Sequence, residues 1–195
     1  MGNRDRLLDG AKQCLYEKGY TRTTARDIAT AAGTSLAAIG YHFGSTEALL
    51  NEALYAAVGE WGDELGRAFA AGARGQDPAG RFTAIWTELI ETLPAHRPLW
   101  TTQFEVLGQV DRMPEIREFM ARAQRQGRAA LAGLFAGDEP LDERTAQLLG
   151  TVHQALLAGV MAQWLMDPEG APSATDLADG LRLLADRLSG PATPA

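Results

Sequence analysis

The side chains that could perform catalysis or hold a metal are few and widely spaced in this sequence. The histidines are His42, His96 and His153, the only cysteine is Cys14, and no pair has the spacing of a metal site. There is no Glu-x-x-His pair, no glycine-rich loop between a strand and a helix, and no serine elbow. We therefore expect no enzymatic activity, no cofactor and no metal.

The composition indicates that helices carry these residues. The chain of 195 residues holds 34 Ala and 25 Leu against 5 Val and 5 Ile, which favours an all-α fold. The longest apolar run, 155–162, is far shorter than the ~20 residues that span a membrane. The charged N-terminal segment lacks the apolar core of a secretory signal. We expect a cytoplasmic protein with no membrane partner.

Charge is distributed unevenly along the chain. The net charge is -7, but residues 1–50 hold six basic and five acidic side chains. Between Lys12 and Arg26 there are four basic residues and one acidic residue. This pattern suggests a local basic patch on an acidic protein, and such a patch is more often a solvated face than a binding site.

The first fifty residues show the pattern of three short helices followed by a fourth. Apolar spacing predicts a helix over 4–18 that stops at Gly19, and Thr24 with Asp27 has the spacing of a capping box for the second helix. Gly33 ends the second helix, and Ser35 is expected to cap a third over 36–43. Two short helices joined at a glycine predict a helix-turn-helix, with an ordinary helical bundle as the equal alternative.

The same segment carries a recognisable set of motifs. These are TTARDIA at 23–29, AG at 32–33 and YHFGSTEALL at 41–50, in this order and without a gap. Together they resemble the DNA-binding signature of the tetracycline-repressor-like (TetR) family. The match covers residues 21–54, about a sixth of the chain. The resemblance implies an N-terminal helix-turn-helix unit that binds double-stranded operator DNA and a larger C-terminal helical domain for ligand binding and dimerisation.

The resemblance also implies roles for individual residues. Ile39 and Phe43 match core positions of the family. The expected phosphate contacts are Thr24, Arg26, Tyr41 and His42, and the residues expected to face base edges are Ser35, Leu36, Ala37 and Gly40. The base-facing residues include no Arg, Lys, Asn or Gln, so we expect apolar contacts with thymine methyl groups and a contribution from DNA shape.

Two positions depart from the family pattern. Thr46 stands where a lysine is frequent, so a phosphate contact there is either missing or reduced to a hydroxyl group. Gly40 stands where an aromatic residue is frequent, and glycine inside a helix costs ~1 kcal/mol relative to alanine. A close approach of the backbone to DNA or a crowded packing site would explain this glycine.

The remaining sequence predicts a larger helical domain. We expect a long helix over 46–72, a loop over 70–80, breaks at 94–98 and 111–114, and final helices over 142–167 and 175–189. The predicted domains are a DNA-binding domain at 1–46, a ligand-binding and dimerisation domain at 47–189, and a disordered tail at 190–195.

The last two predicted helices have the pattern of an interface. Their apolar and small residues are spaced along single helical faces: Leu177, Leu181, Leu184 and Leu188 on one helix, and Ala155, Ala158, Gly159 and Ala162 on the other. The family resemblance implies a homodimer through these helices, which suits a palindromic operator. The alternative is that the leucine stripe belongs to the core of one chain.

Several residues of the C-terminal region are candidates for an effector pocket. They are aromatic residues and polar residues beside apolar stripes: Trp86, Trp100, Gln103, Phe104, Gln124 and His153. Taken singly, the tryptophans are more readily interpreted as core, and His153 as a satisfied core or interface residue. The leading hypothesis is a homodimeric repressor that a small apolar molecule releases from DNA, and its rival is a small-molecule-binding or protein-interaction module whose DNA binding is weak or lost.

Overall fold

The computed structural model describes residues 2–72, 77–108, 114–136 and 140–190, and for residues 69–72 and 114–116 it describes the backbone alone. The described residues form nine helices and no strand, which confirms the all-α prediction. The helices are α1 Asn3–Lys18, α2 Ala25–Ala31, α3 Leu36–Phe43, α4 Thr46–Gly72, α5 Pro78–Thr92, α6 Arg97–Leu107, α7 Pro114–Ala136, α8 Glu143–Met166 and α9 Ala174–Ser189.

The helices belong to two compact units. Unit 1 comprises residues 1–64 and 96–126, and unit 2 comprises residues 65–95 and 127–195. The long helices α4 and α7 each contribute to both units. The units follow packing and differ from the functional domains predicted from the sequence, so the boundary between residues 46 and 47 stays a prediction.

Local signals in the sequence form the helix-turn-helix of unit 1. Thr24 and Asp27 make the predicted capping box, in which the Asp27 backbone N–H donates to the Thr24 hydroxyl and the Thr24 N–H donates to the carboxylate. Gly33 turns the chain after α2 with φ at +59°, a left-handed conformation that glycine adopts without strain. Ser35 occupies the N-cap position of α3, as predicted, but its side chain makes no capping hydrogen bond there.

The three short helices share a small apolar core within unit 1. Leu7, Ala11 and Leu15 of α1 are buried together with Ile28 of α2 and Ile39 of α3. α1 contacts both α2 and α3, so each short helix is held by tertiary packing as well as by its caps. Burial of the inner face fixes which face of α3 remains exposed.

Helix α6 is attached to the turn between α1 and α2 within the same unit. The Glu105 carboxylate accepts hydrogen bonds from the backbone N–H groups of Tyr20 and Thr21, both at 3.1 Å, and from the Thr21 hydroxyl. At the start of α6, His96 Nδ1 lies 3.2 Å from the Tyr16 hydroxyl of α1. α6 therefore supports the segment that leads into the helix-turn-helix.

In unit 2, α5 packs on α9 and buries Ile85, Trp86 and Leu89. The predicted long helix over 46–72 is confirmed, because α4 spans Thr46–Gly72, whereas the predicted loop over 70–80 is wrong at its C-terminal end, because α5 begins at Pro78. The Asp77 carboxylate caps α5 by accepting the Gly80 N–H at 2.6 Å, and proline suits the first turn of a helix. The predicted break at 111–114 and the predicted tail at 190–195 lie largely outside the described residues.

The last two helices follow their predicted limits closely. Asp142 caps α8 by accepting the Thr145 N–H at 3.0 Å, and Ser173 caps α9 by accepting the Asp176 N–H at 3.2 Å. Within the described residues, α8 is also long and apolar enough by length and composition to cross a membrane. A core or interface helix of a folded domain passes the same test, so this property does not indicate a membrane span.

Candidate nucleic-acid interface and effector site

The outer face of α3 is exposed, as the amphipathic pattern predicts. Tyr41 is 86% exposed and Leu36 is 51% exposed, whereas Ile39 on the inner face is 3% exposed. Ala37 and Gly40 are exposed on the same helix, and Ser35 is exposed at its N-cap. The residues expected to face DNA bases thus form a continuous accessible surface.

The expected phosphate contacts lie around this surface. Arg26 is exposed near the start of α2, and the His42 ring lies 4.8 Å from the Tyr41 ring at the end of α3. Thr46 is half-buried at the first position of α4. The Thr24 hydroxyl donates to the Asp27 carboxylate at 2.7 Å, so in this conformation its proton is used within the capping box.

The basic patch predicted from the charge count has less unpaired positive charge in the structure than the count indicates. Lys18 pairs with Asp27 at 2.6 Å, and this bond, with those from Thr24, lowers the pKa of Asp27 to about 2. Lys12 lies between the carboxylates of Asp9 and Glu60, at 2.9 Å and 2.6 Å. Two of the four basic residues from Lys12 to Arg26 are thus neutralised by pairing within the chain, and Arg22 and Arg26 supply the exposed positive charge.

One of the two explanations for Gly40 is excluded within the described residues. A Cβ atom placed at Gly40 has no heavy atom within 4 Å, apart from the two neighbouring residues and the nearby backbone of α3 itself. Crowding inside this chain therefore does not require glycine at this position. The open space leaves a close approach of the α3 backbone to DNA as the other of the two explanations.

Four of the residues expected at the effector site lie in unit 1. Trp100 is fully buried on α6, and its ring lies 4.6 Å from the Trp61 ring. Among the described residues, neither the Trp100 indole nitrogen nor Gln103 Oε1 has a hydrogen-bond partner, although both atoms are buried. Phe104 is half-buried on α6, and Gln124 is exposed on α7.

The other two expected residues, Trp86 and His153, lie in unit 2 within a cluster of rings. The Phe135 ring stacks on the His153 ring at a centroid distance of 3.6 Å and an interplanar angle of 5°. The centroid of the Phe82 ring lies 6.1 Å from that of Trp86 and 6.0 Å from that of His153. Burial lowers the pKa of His153 to about 4, so the imidazole is uncharged at neutral pH.

Sequence reasoning did not select Phe135 as a binding residue. Phe135 lies on α7 directly after Leu134, and adjacent residues of a helix point to different parts of its surface. Phe82 is recognisable from the sequence as an aromatic residue on the same stripe as Trp86, but its proximity to Phe135 depends on the packing of α5 and α7.

Two open hollows of the described surface lie elsewhere. One of about 720 Å³ is lined by residues at the start of α5 and by Arg182, and one of about 150 Å³ is lined by Tyr55 and residues of α7. Neither is lined by any of the six expected effector residues.

Helices α8 and α9 expose a large apolar surface in unit 2. Leu148, Leu149 and Val152 are 56%, 39% and 49% exposed, and Leu184 and Leu188 are 53% and 79% exposed. Leu177 and Leu181 are half-buried on the same stripe of α9. The end of the leucine stripe thus lies outside the core of the described chain, which favours the interface interpretation.

Within the described ranges, no group of three or more His, Cys, Asp or Glu side chains is arranged to hold a metal ion. Cys14 is buried, and burial raises the pKa of its thiol.

Two family matches account for most of the chain. Residues 7–53 match the family described as bacterial regulatory proteins, tetR family, and residues 77–189, more than half of the chain, match the tetracyclin repressor-like C-terminal domain. The chain belongs to the tetR family of bacterial regulatory proteins. The helix-turn-helix predicted from the sequence coincides with the N-terminal match.

Relatives of this tetR-family chain include two proteins described as transcriptional repressors. KstR2 of Rhodococcus jostii is 35% identical over 94 residues, which are 48% of this chain and 45% of KstR2. AcnR of Corynebacterium efficiens is 41% identical over 49 residues, which are 25% of this chain and 26% of AcnR. The chain thus matches less than half the length of each of these relatives.

The fold resembles solved structures over nearly the whole chain. The multidrug binding protein EbrR, complexed with imidazole, superposes with a TM-score of 0.67 at 23% identity, covering 100% of this chain and 98% of EbrR. At this identity the likeness supports the tetR-family fold and not the ligand.

Proposed function

We propose that this tetR-family protein is a cytoplasmic DNA-binding transcriptional repressor that binds a palindromic operator. The observation that carries the proposal is the exposed outer face of α3, where Tyr41 is 86% exposed while Ile39 is buried beneath it. A short helix held by its inner face and accessible on its outer face has the geometry for entering a major groove. The relatives described as repressors support this assignment.

The proposed DNA contacts are those of the sequence analysis. Arg26 supplies an exposed positive charge for a phosphate, and Tyr41 and His42 supply hydrogen-bond donors at the end of α3. The apolar surface of Leu36 and Ala37 suits thymine methyl groups. The DNA-binding domain is proposed to comprise residues 1–46, with the remaining described helices serving ligand binding and dimerisation.

The repressor is proposed to act as a homodimer through α8 and α9. Apolar side chains that are half or more exposed in the single chain, such as Leu148, Leu184 and Leu188, are stabilised when a second copy covers them. A two-fold symmetric dimer has two copies of α3, which matches the two halves of a palindromic operator.

A small molecule is proposed to release the repressor from DNA. Six buried side-chain polar atoms lack a partner in the described part of the chain, and four of them belong to Trp86, Trp100, Gln103 and His153. An unsatisfied buried polar atom costs about 1–3 kcal/mol, which a bound ligand would recover. Binding of effector and of DNA should weaken each other by the same factor.

Selection of bound sequences from a random duplex library tests the proposal. The purified full chain should enrich a two-fold symmetric motif, and the affinity for that motif should fall linearly with salt on a logarithmic scale. Arg26→Ala should weaken binding and reduce the salt slope by about 1. Arg125→Ala, which removes the same charge from an exposed position on α7, serves as the matched control.

Absence of any enriched sequence would contradict the repressor assignment and favour a small-molecule-binding module with lost DNA binding. An equal change of the salt slope in both arginine variants would show that Arg26 acts through net charge alone.

A further inference from the structure

Four rings from three helices form a cluster in unit 2. Phe82 and Trp86 belong to α5, Phe135 to α7 and His153 to α8. The Phe135 ring lies 5.7 Å from Phe82, 6.2 Å from Trp86 and 3.6 Å from His153, measured between centroids. Phe82 also contacts both Trp86 and His153, so the aromatic cluster is continuous.

Two polar atoms in the aromatic cluster lack partners among the described residues. They are the indole Nε1 of Trp86, which is fully buried, and Nδ1 of His153, a residue that is 8% exposed. An indole N–H can only donate, so Trp86 needs an acceptor. The neighbouring rings supply no such acceptor apart from the imidazole. The cluster therefore has an unmet requirement for a hydrogen-bond acceptor.

In the described part of unit 2, no charged side chain is fully buried around this cluster. His153 is the only polar residue classed as buried in the described part of unit 2, and its imidazole is uncharged at neutral pH. A charged ligand that entered this interior would lose its hydration without meeting an opposite charge. A neutral ligand avoids this cost. The Phe135 and His153 rings stack face to face, so a flat ring is the ligand shape that can replace this contact on either side chain.

We infer that the aromatic cluster selects an uncharged, flat aromatic effector carrying a hydrogen-bond acceptor, which accepts the Trp86 indole N–H. This inference rests on the proposed effector response and names the chemistry of its ligand. The guest ring separates the Phe135 and His153 rings and takes over the stacking contact that they make with each other. Trp86 then gains the partner that it lacks in the free protein.

Three probes of nearly equal size test this chemistry. Quinoline is uncharged at pH 7.5 and carries one ring nitrogen as an acceptor, naphthalene has the same shape without the acceptor, and N-methylquinolinium carries a permanent positive charge. Each is titrated against the full chain by ligand-observed NMR. Quinoline should bind roughly 2- to 10-fold tighter than naphthalene, the ratio expected for one added hydrogen bond. N-methylquinolinium should bind more weakly than either.

A variant assigns the preference to one side chain. Trp86→Phe keeps an aromatic ring and removes the N–H, so the advantage of quinoline over naphthalene should disappear. Trp164→Phe is the matched control, because Trp164 is a buried tryptophan of the same unit outside the ring cluster. It should leave the ratio unchanged. If Trp86→Phe does not fold, the unaltered chain provides the readout, since quinoline should shift one of the indole N–H resonances downfield and naphthalene should not.

Equal or tighter binding of N-methylquinolinium overturns the inference, as do equal affinities for quinoline and naphthalene or no binding of any probe. The operator selection described above is run on the same preparation. If no probe binds but the protein binds its operator, the ligand chemistry alone is refuted. If the protein binds no operator in the absence of any probe, the repressor assignment is refuted.

Discussion

Replacing Gly40 with alanine should stabilise the protein and weaken its binding to DNA. A Cβ at this position meets no heavy atom of the surrounding chain within 4 Å, so it causes no clash. Glycine inside a helix is about 1 kcal/mol less favourable than alanine, so the free energy of unfolding should rise by about 1 kcal/mol. The added methyl group lies on the exposed face of α3, where it would separate the helix backbone from DNA.

Urea unfolding at pH 7 and operator titration at a fixed salt concentration measure the two effects. We expect a higher urea midpoint with an unchanged m-value, and an operator affinity lowered by about 10-fold, the equivalent of ~1.4 kcal/mol. Gly10→Ala is the contrasting variant, because a Cβ there would lie 2.9 Å from the Ala32 backbone nitrogen. It should lower the free energy of unfolding by about 1–3 kcal/mol.

The two measurements refute different steps. A fall in the stability of Gly40→Ala would show that the space around this residue is not available. A gain in stability with unchanged operator affinity would show that DNA does not approach the α3 backbone at Gly40.

Three further substitutions test other parts of the structure. Glu105→Ala removes the acceptor of the Tyr20 and Thr21 N–H groups and should lower the free energy of unfolding by about 2 kcal/mol. Urea unfolding measures this change. A decrease below about 0.5 kcal/mol, which is the size of an ordinary surface effect, would contradict the prediction. His153 is buried uncharged with its pKa lowered from 6.5 to about 4, so the unfolded chain binds more protons between these pH values. Stability should fall by up to about 3 kcal/mol as the pH drops from 6.5 to 4, and this part of the pH dependence should be missing in His153→Phe. Leu184→Glu places a charge on the exposed stripe of α9 and should convert the dimer into monomers in sedimentation velocity; a variant that stays dimeric would place the interface elsewhere.

The helix-turn-helix is predictable from the sequence because the signals for it are local. Thr24 and Asp27 are three residues apart, and the hydrogen bonds of their capping box depend only on that spacing. Gly33 marks the turn because glycine tolerates a positive φ. The apolar spacing of α3 places Ile39 inside and Tyr41 outside without reference to the rest of the chain. The same motifs were sufficient to suggest the tetR family.

The pairing of the polar groups, in contrast, depends on how the helices pack. The basic count from Lys12 to Arg26 predicts a patch, but packing brings Glu60 of α4 to Lys12 and Asp27 of α2 to Lys18. A charge count contains no information on such distances. The interaction of Glu105 with the turn at Tyr20 likewise joins residues far apart in the sequence.

Some residues of the expected effector site could be selected from the sequence, and one, Phe135, could not. Sequence patterns selected Trp86 and His153 as an aromatic residue and a polar residue on apolar helical faces, and the structure gives both a buried atom without a partner. Phe135 was missed because helical periodicity gives the face of one helix but not the neighbour that covers it. Its stack on His153 exists because α7 and α8 pack together in unit 2, with Gly150 of α8 placed directly against the Arg128 backbone. Local residue spacing thus determines where the helices form, and close packing of helices far apart in the sequence determines which side chains meet at the candidate effector site.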